Sequence, residues 1–70
     1  MVEKTVELTG ISGNSIEDAV QIAVSRAGVT LAGIHTVRIQ DVVAVVESNK
    51  VIKWKVTVKV TFNVQDQIHE

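Results

Sequence analysis

His35, Asp41 and Glu47 are the side chains best suited to chemistry in this 70-residue chain. An imidazole or a carboxylate can act as a general base, and carboxylate oxygens can ligate a hard cation such as calcium. Asp41 with Glu47, or Asp66 with Glu70, would supply such oxygens, but neither pair has the dense spacing of an EF-hand loop. His69 stands in the polar C-terminal tail. Trp54 offers a flat ring on which a ligand could stack; its place in the pattern described below reads more simply as core, with an N–H that then needs a partner. Lys53, Lys55 and Lys59 form a row suited to a solvated face or an interface lining. Gly10 and Gly13 lack the full fingerprint of a phosphate-binding loop. An enzyme using His35 or Asp41 as base would need a nucleophile–base–orienter set, and none is visible. The residues read as those of a binding or structural protein, not an enzyme.

Composition bounds the rest. There is no cysteine, which excludes a disulfide framework, a thiolate zinc site and a thiol nucleophile. Net charge is −1 without any Lys/Arg cluster, so no nucleic-acid footprint is indicated. With 46% hydrophobic residues the chain is a folded one, and residues 1–70 are expected to form a single domain. No signal peptide or membrane-length apolar run is seen, so a soluble cytoplasmic protein with no membrane partner is expected. A core of this size rarely supplies more than ~3–5 kcal/mol, and without disulfides oligomerisation is the favoured supplement.

The elements that must position these residues follow from periodicity. From Ile52 to Val64 every even position is apolar and every odd position from Lys53 to Asn63 is Lys, Thr or Asn, the signature of a strand with one face covered. At ~3.3 Å per residue it reaches roughly 43 Å, longer than a small domain usually requires, so its far end is expected to work outside its own subunit. Val2, Val6 and Leu8 alternate with polar residues in a first strand ending at Gly10, with Lys4 the exception. Ser15 or Asn14 can cap a following helix, with Glu17 and Asp18 placed for a capping box. Ile16, Ala19, Val20, Ala23, Ala27 and Leu31 form its apolar stripe over about eighteen residues, and Gly33 is the expected stop. A second strand starts near Ile34. Its alternation fails after Asp41, where Val42 to Val46 runs apolar throughout. Either a β-bulge near Asp41 shifts the parity, or this stretch is buried on both faces; in both readings it is expected to meet another subunit. Glu47 to Lys50 forms a turn, with Asn49 and Lys50 expected to accept positive φ. The predicted fold is α+β, in the order β-α-β-β. Strand three lies between the other two in an all-antiparallel, three-stranded sheet that wraps around one helix. The tail from Gln65 onward is expected to fray.

In length, order and many small matches the chain resembles the dodecins. The likeness rests on Leu8-Thr9-Gly10, on Ser12 and Ser15 before the helix, on Ser25-Arg26-Ala27, and on a final strand ending in Phe62. The resemblance covers nearly the whole chain and implies a homo-oligomer, a hollow spherical dodecamer that binds or stores a small molecule. Many dodecins hold flavins, riboflavin or its phosphate, in pairs at subunit contacts, stacked on a tryptophan and held by a glutamine. Others lack flavin and are associated with calcium or with no settled ligand. Carried onto this chain, the family's stacking tryptophan falls at Thr36, its glutamine at Lys55, and a family acidic residue at Val45, with His35 beside the vacated platform. These replacements remove the aromatic platform and the amide's paired donor and acceptor, so weak or absent flavin binding is expected. The flavin-free, calcium-associated branch is the better match. The open alternatives are a flavin binder using other residues and a ligand-free or calcium-binding structural assembly, with Asp41 and Glu47 as the metal candidates.

Overall fold

A computed structural model describes residues 1–64 as β1 (Val2–Ser12), α1 (Ile16–Thr30), β2 (Ile34–Glu47) and β3 (Lys50–Val64). The expected fraying of the tail, the Asp66/Glu70 pair and His69 all lie outside the described residues. The sheet order is β1-β3-β2 and both pairings are antiparallel, as expected with strand three between the other two.

The alternation of β3 sorts its side chains as expected. Val56, Val58 and Val60 are fully buried against Ala19 and Ala23 of α1, and Val6, Leu8, Ile16, Val20, Ile34, Val37 and Trp54 pack around them. Each fully buried valine contributes on the order of 1.5–3 kcal/mol from apolar area removed from water. Small helix residues let the backbone of α1 approach the sheet closely. Gly10 sits at the closest point, where an added Cβ would collide with the carbonyl of Ala19. Trp54 is half-buried at the edge of this core, and its indole N–H is not left buried and unpaired.

The helix start differs in detail from a reciprocal capping box. Ser15 is the N-cap, and its Oγ accepts from the Asp18 N–H at 3.0 Å. The Asp18 carboxylate does not return to Ser15. Its Oδ2 accepts from Ser12 Oγ at 2.6 Å, because β1 continues past Gly10 to Ser12 and brings that hydroxyl under the helix end. Ser12 Oγ also accepts from the backbone N–H of Asn14 at 2.9 Å and of Ser15 at 3.4 Å. One buried hydroxyl thus ties strand, turn and helix together.

The helix is shorter than the stripe suggests, 15 residues, ending at Thr30. Gly28, Val29 and Thr30 are poor helix formers, and Leu31 is already extended, with its N–H closing on the Ala27 carbonyl at 2.9 Å. Gly33 is therefore not the helix stop. It takes φ +79° in the connection, and its carbonyl accepts from the Asn63 N–H at 3.2 Å, fastening the start of β2 to β3. In the hairpin the positive φ values fall on Ser48 (51°) and Asn49 (65°), one residue earlier than expected. Two left-handed residues match the twist of a two-residue hairpin, and Lys50 is then free to open β3.

The register of β2 on β3 slips between Ile34 and Thr36, between Ile39 and Asp41, and between Val45 and Val46. The second slip is the bulge expected near Asp41, and it answers the broken alternation: Val42 and Ala44 stay opposite Val56 and Trp54 while Val43 and Val45 turn to the other face. The described residues extend over 58 × 19 × 12 Å. A 15-residue helix spans only ~22 Å, so the hairpin end of the sheet runs on without cover. Val42, Val43, Val46, Val51 and Ile52 are all exposed there.

Candidate binding site on the helix-free face

Residues directly opposite on paired strands share a face, so the register defines the sheet surface turned away from α1. Thr5, Thr61 and Thr36 form one cross-strand row, and Glu7, Lys59 and Arg38 form the next. Thr9 and Thr57 follow with Asp41, then Ile11, Lys55 and Val43, and last Lys53 with Val45. The Oγ1 atoms of Thr5 and Thr61 are hydrogen-bonded at 3.0 Å, and those of Thr9 and Thr57 also at 3.0 Å. A bond between two hydroxyls uses one donor and one lone pair, so each pair keeps an O–H and several lone pairs for a ligand.

A cavity of about 720 Å³ opens on this face, lined by Thr5, Thr36, Val37, Arg38, Lys59 and Thr61. Its polar content is three hydroxyls and two cations, with no carboxylate. At its lower side, His35 is the extra residue of the first bulge and reaches across β3 to Glu3, Nε2 to Oε2 at 3.1 Å. Between them Asn63 Oδ1 is the one buried side-chain polar atom without a partner among the described residues.

The residues singled out in the sequence are only partly brought together. Thr36 lines the cavity and His35 adjoins it. Lys55 does not line it. Four residues along β3 from Lys59, it stands ~13 Å further up the strand, opposite Val43 and Ile11. Val45 is paired with Lys53 near the hairpin, roughly 25–30 Å from Thr36 along β2. Asp41 and Glu47 lie on one strand roughly 20 Å apart, too far to share a cation within one subunit. Among the described residues no three His, Cys, Asp or Glu side chains are grouped to hold a metal ion. Arg38, Thr5 and Thr61, which do line the cavity, were not legible as site residues, because their proximity depends on a register across β3. The signal for that register was the three-residue step from Ile34 to Val37, which marks a bulge inside an otherwise alternating strand.

One helix laid on a three-stranded antiparallel sheet, with an open polar face and an overlong hairpin, defines a small β-α-β-β subunit of α+β class. The chain belongs to the dodecin family, whose model matches residues 2–65. Among solved structures it is similar to the tt0972 protein of Thermus thermophilus, at 29% identity and a TM-score of 0.89, covering 94% of this chain and 97% of that one. The dodecin of Streptomyces coelicolor matches at 27% identity and a TM-score of 0.88, covering 94% of each chain. The calcium dodecin of Mycobacterium tuberculosis, described as a calcium-chelating antigen with a novel calcium-binding site, matches at 26% identity and a TM-score of 0.81 over 100% of both chains. No curated protein matches the chain. Among the described residues no helix is long and apolar enough to cross a membrane.

Proposed function

We propose that this single-domain dodecin works as a cytoplasmic homo-oligomer, a hollow dodecamer, that holds a small molecule at contacts between its subunits and catalyses no reaction. The observation that carries this reading is the separation of Thr36 from Lys55 and Val45 within one subunit. The resemblance sets these three positions around one ligand, and held this far apart on β2 and β3 they meet there only if a second copy supplies some of them. The exposed valines at the hairpin end and the family membership support the same assembly. Val42, Val43 and Val46 are between 39% and 56% exposed in the isolated subunit, a cost that burial against another copy would remove.

The ligand is not a tightly stacked flavin. Thr36 puts a small hydroxyl where the resemblance places an aromatic ring, and Lys55 offers a point charge in place of an amide. A calcium-holding assembly is the second reading, favoured by the full-length likeness to the calcium dodecin. Asp41 and Glu47 would then have to act with carboxylates of other copies. Native mass spectrometry of untreated protein tests both readings together. It should return a closed dodecamer carrying a retained small molecule; a monomer, or an oligomer free of any added mass, would contradict the binding role. Bound calcium as the sole addition would favour the second reading.

A further inference from the structure

Arg38 and Lys59 are direct cross-strand partners on the helix-free face. Directly opposed residues hold their Cβ atoms ~4.5–5.5 Å apart, and like charges so placed destabilise a sheet. Glu7 stands opposite Lys59 on β1 and offsets part of its charge without closing to an ion pair, whereas Arg38, on the edge strand, has no acidic residue directly opposite it; among the described residues the one ion pair is His35 with Glu3. Both side chains line the cavity of about 720 Å³, together with the hydroxyls of Thr5, Thr36 and Thr61. No acidic side chain lines it.

We propose that this cavity is a phosphate-binding site, formed by Arg38 and Lys59 with the three threonine hydroxyls, and that the small molecule held by this protein bears a phosphate group. The inference rests on the binding role proposed above and names the chemistry of the ligand. Arg supplies a planar fork of donors suited to two oxygens of one anion, and Lys supplies a compact charge with three donors. A phosphate monoester carries about −1.5 to −2 charge near neutrality and three strongly accepting oxygens. Two cations line the cavity while Glu7 lies behind Lys59 and outside the lining, so the cavity itself favours a multiply charged anion with several acceptor oxygens. The hydroxyl shared between Thr5 and Thr61 at 3.0 Å can turn its free O–H toward a third oxygen. A tetrahedral anion between Arg38 and Lys59 also removes the repulsion that the bare sheet carries. Thr36 takes part in this scheme as a hydrogen-bonding wall, where an aromatic ring would fill the same space with an apolar face.

The test uses the intact protein and inorganic phosphate or pyrophosphate, against sodium chloride at matched ionic strength. Calorimetric titration and thermal unfolding are followed for the native chain, for Arg38→Gln and Lys59→Gln, for the double variant, and for Lys53→Gln as a control on the same face outside the cavity. Phosphate should bind the native protein saturably and raise its Tm. Each single variant should weaken binding at least tenfold, the double variant should abolish it, and Lys53→Gln should leave it unchanged. Without phosphate, Arg38→Gln should melt no lower than the native chain, because it relieves the opposed charges and leaves Lys59 facing Glu7. No saturable response in the native protein, or an equal response in the double variant, overturns the assignment. Light scattering on the same samples separates the two ideas: an intact oligomer without a phosphate response refutes the phosphate site alone, whereas a monomeric sample refutes the assembled binding protein.

Discussion

The backbone of Gly10 in β1 lies against the carbonyl of Ala19 in α1 with no room for a Cβ between them. This contact sets the distance from helix to sheet, and the buried Ala19 and Ala23 and fully buried Val56, Val58 and Val60 fill what remains. Gly10→Ala should therefore push helix and sheet apart. Overpacking of this kind costs ~1–3 kcal/mol, occasionally more, and thermal unfolding at fixed chain concentration should show a Tm lowered by several degrees. An unchanged Tm would mean that the helix shifts without loss.

Ser12 is 4% exposed and joins three hydrogen bonds, to Asn14, Ser15 and Asp18. Ser12→Ala removes the acceptor of the Asn14 and Ser15 backbone N–H groups and leaves the Asp18 Oδ2 with only the long 3.5 Å bond from Asn14 Nδ2, which costs ~1–3 kcal/mol. Ser15→Ala removes only the cap on the Asp18 N–H, for ~1 kcal/mol. The ordering of the two variants in denaturant or thermal unfolding is the check: Ser12→Ala should be the more damaging.

The pair of His35 and Glu3 is the opposite case. Its side chains are 36% and 54% exposed, so solvent screens the interaction. Glu3→Gln should change stability by less than ~1 kcal/mol. A larger loss in thermal unfolding would show that the pair is covered when the subunits assemble.

The hairpin end should act through assembly alone. Val43→Asp and Val46→Lys alter side chains that are 46% and 56% exposed in the subunit, and so spare its own core. Each should weaken association at least tenfold, or ~1.4 kcal/mol per decade. Light scattering across a dilution series should show smaller species than the native chain gives at the same concentration. An unaltered mass in both variants would remove this surface from the interface.

Much of this was legible in the sequence, for physical reasons that differ by element. β3 could be read because it is central: both neighbours and the helix impose one parity on Trp54 to Phe62, and nothing interrupts it. The helix start could be read because Ser15, Glu17 and Asp18 have few other uses at that spacing. In the sequence Ser12 stands out only through the family likeness, since its part depends on where β1 stops, and a strand end is set by its partner, here Trp54. The site was the least legible part. Thr5, Thr61, Thr36, Lys59 and Arg38 meet through two pairings on either side of β3 and a bulge at His35. A polar residue on an open sheet face carries no pattern of its own until the register is known.

The proposed loss of tight flavin binding at Thr36 is tested most directly by titrating riboflavin and its phosphate while following quenching of flavin fluorescence. The native chain should quench weakly or not at all. Thr36→Trp should tighten binding, since an aromatic contact adds ~0.5–1.5 kcal/mol beyond its buried area, and adding Lys55→Gln should tighten it further by restoring paired hydrogen bonds. Where two symmetry-related copies face one site each substitution acts twice, so the double variant should gain well over tenfold, on the order of 2 kcal/mol. Tight quenching by the native chain, or no gain in the double variant, would contradict a family site altered at Thr36 and Lys55.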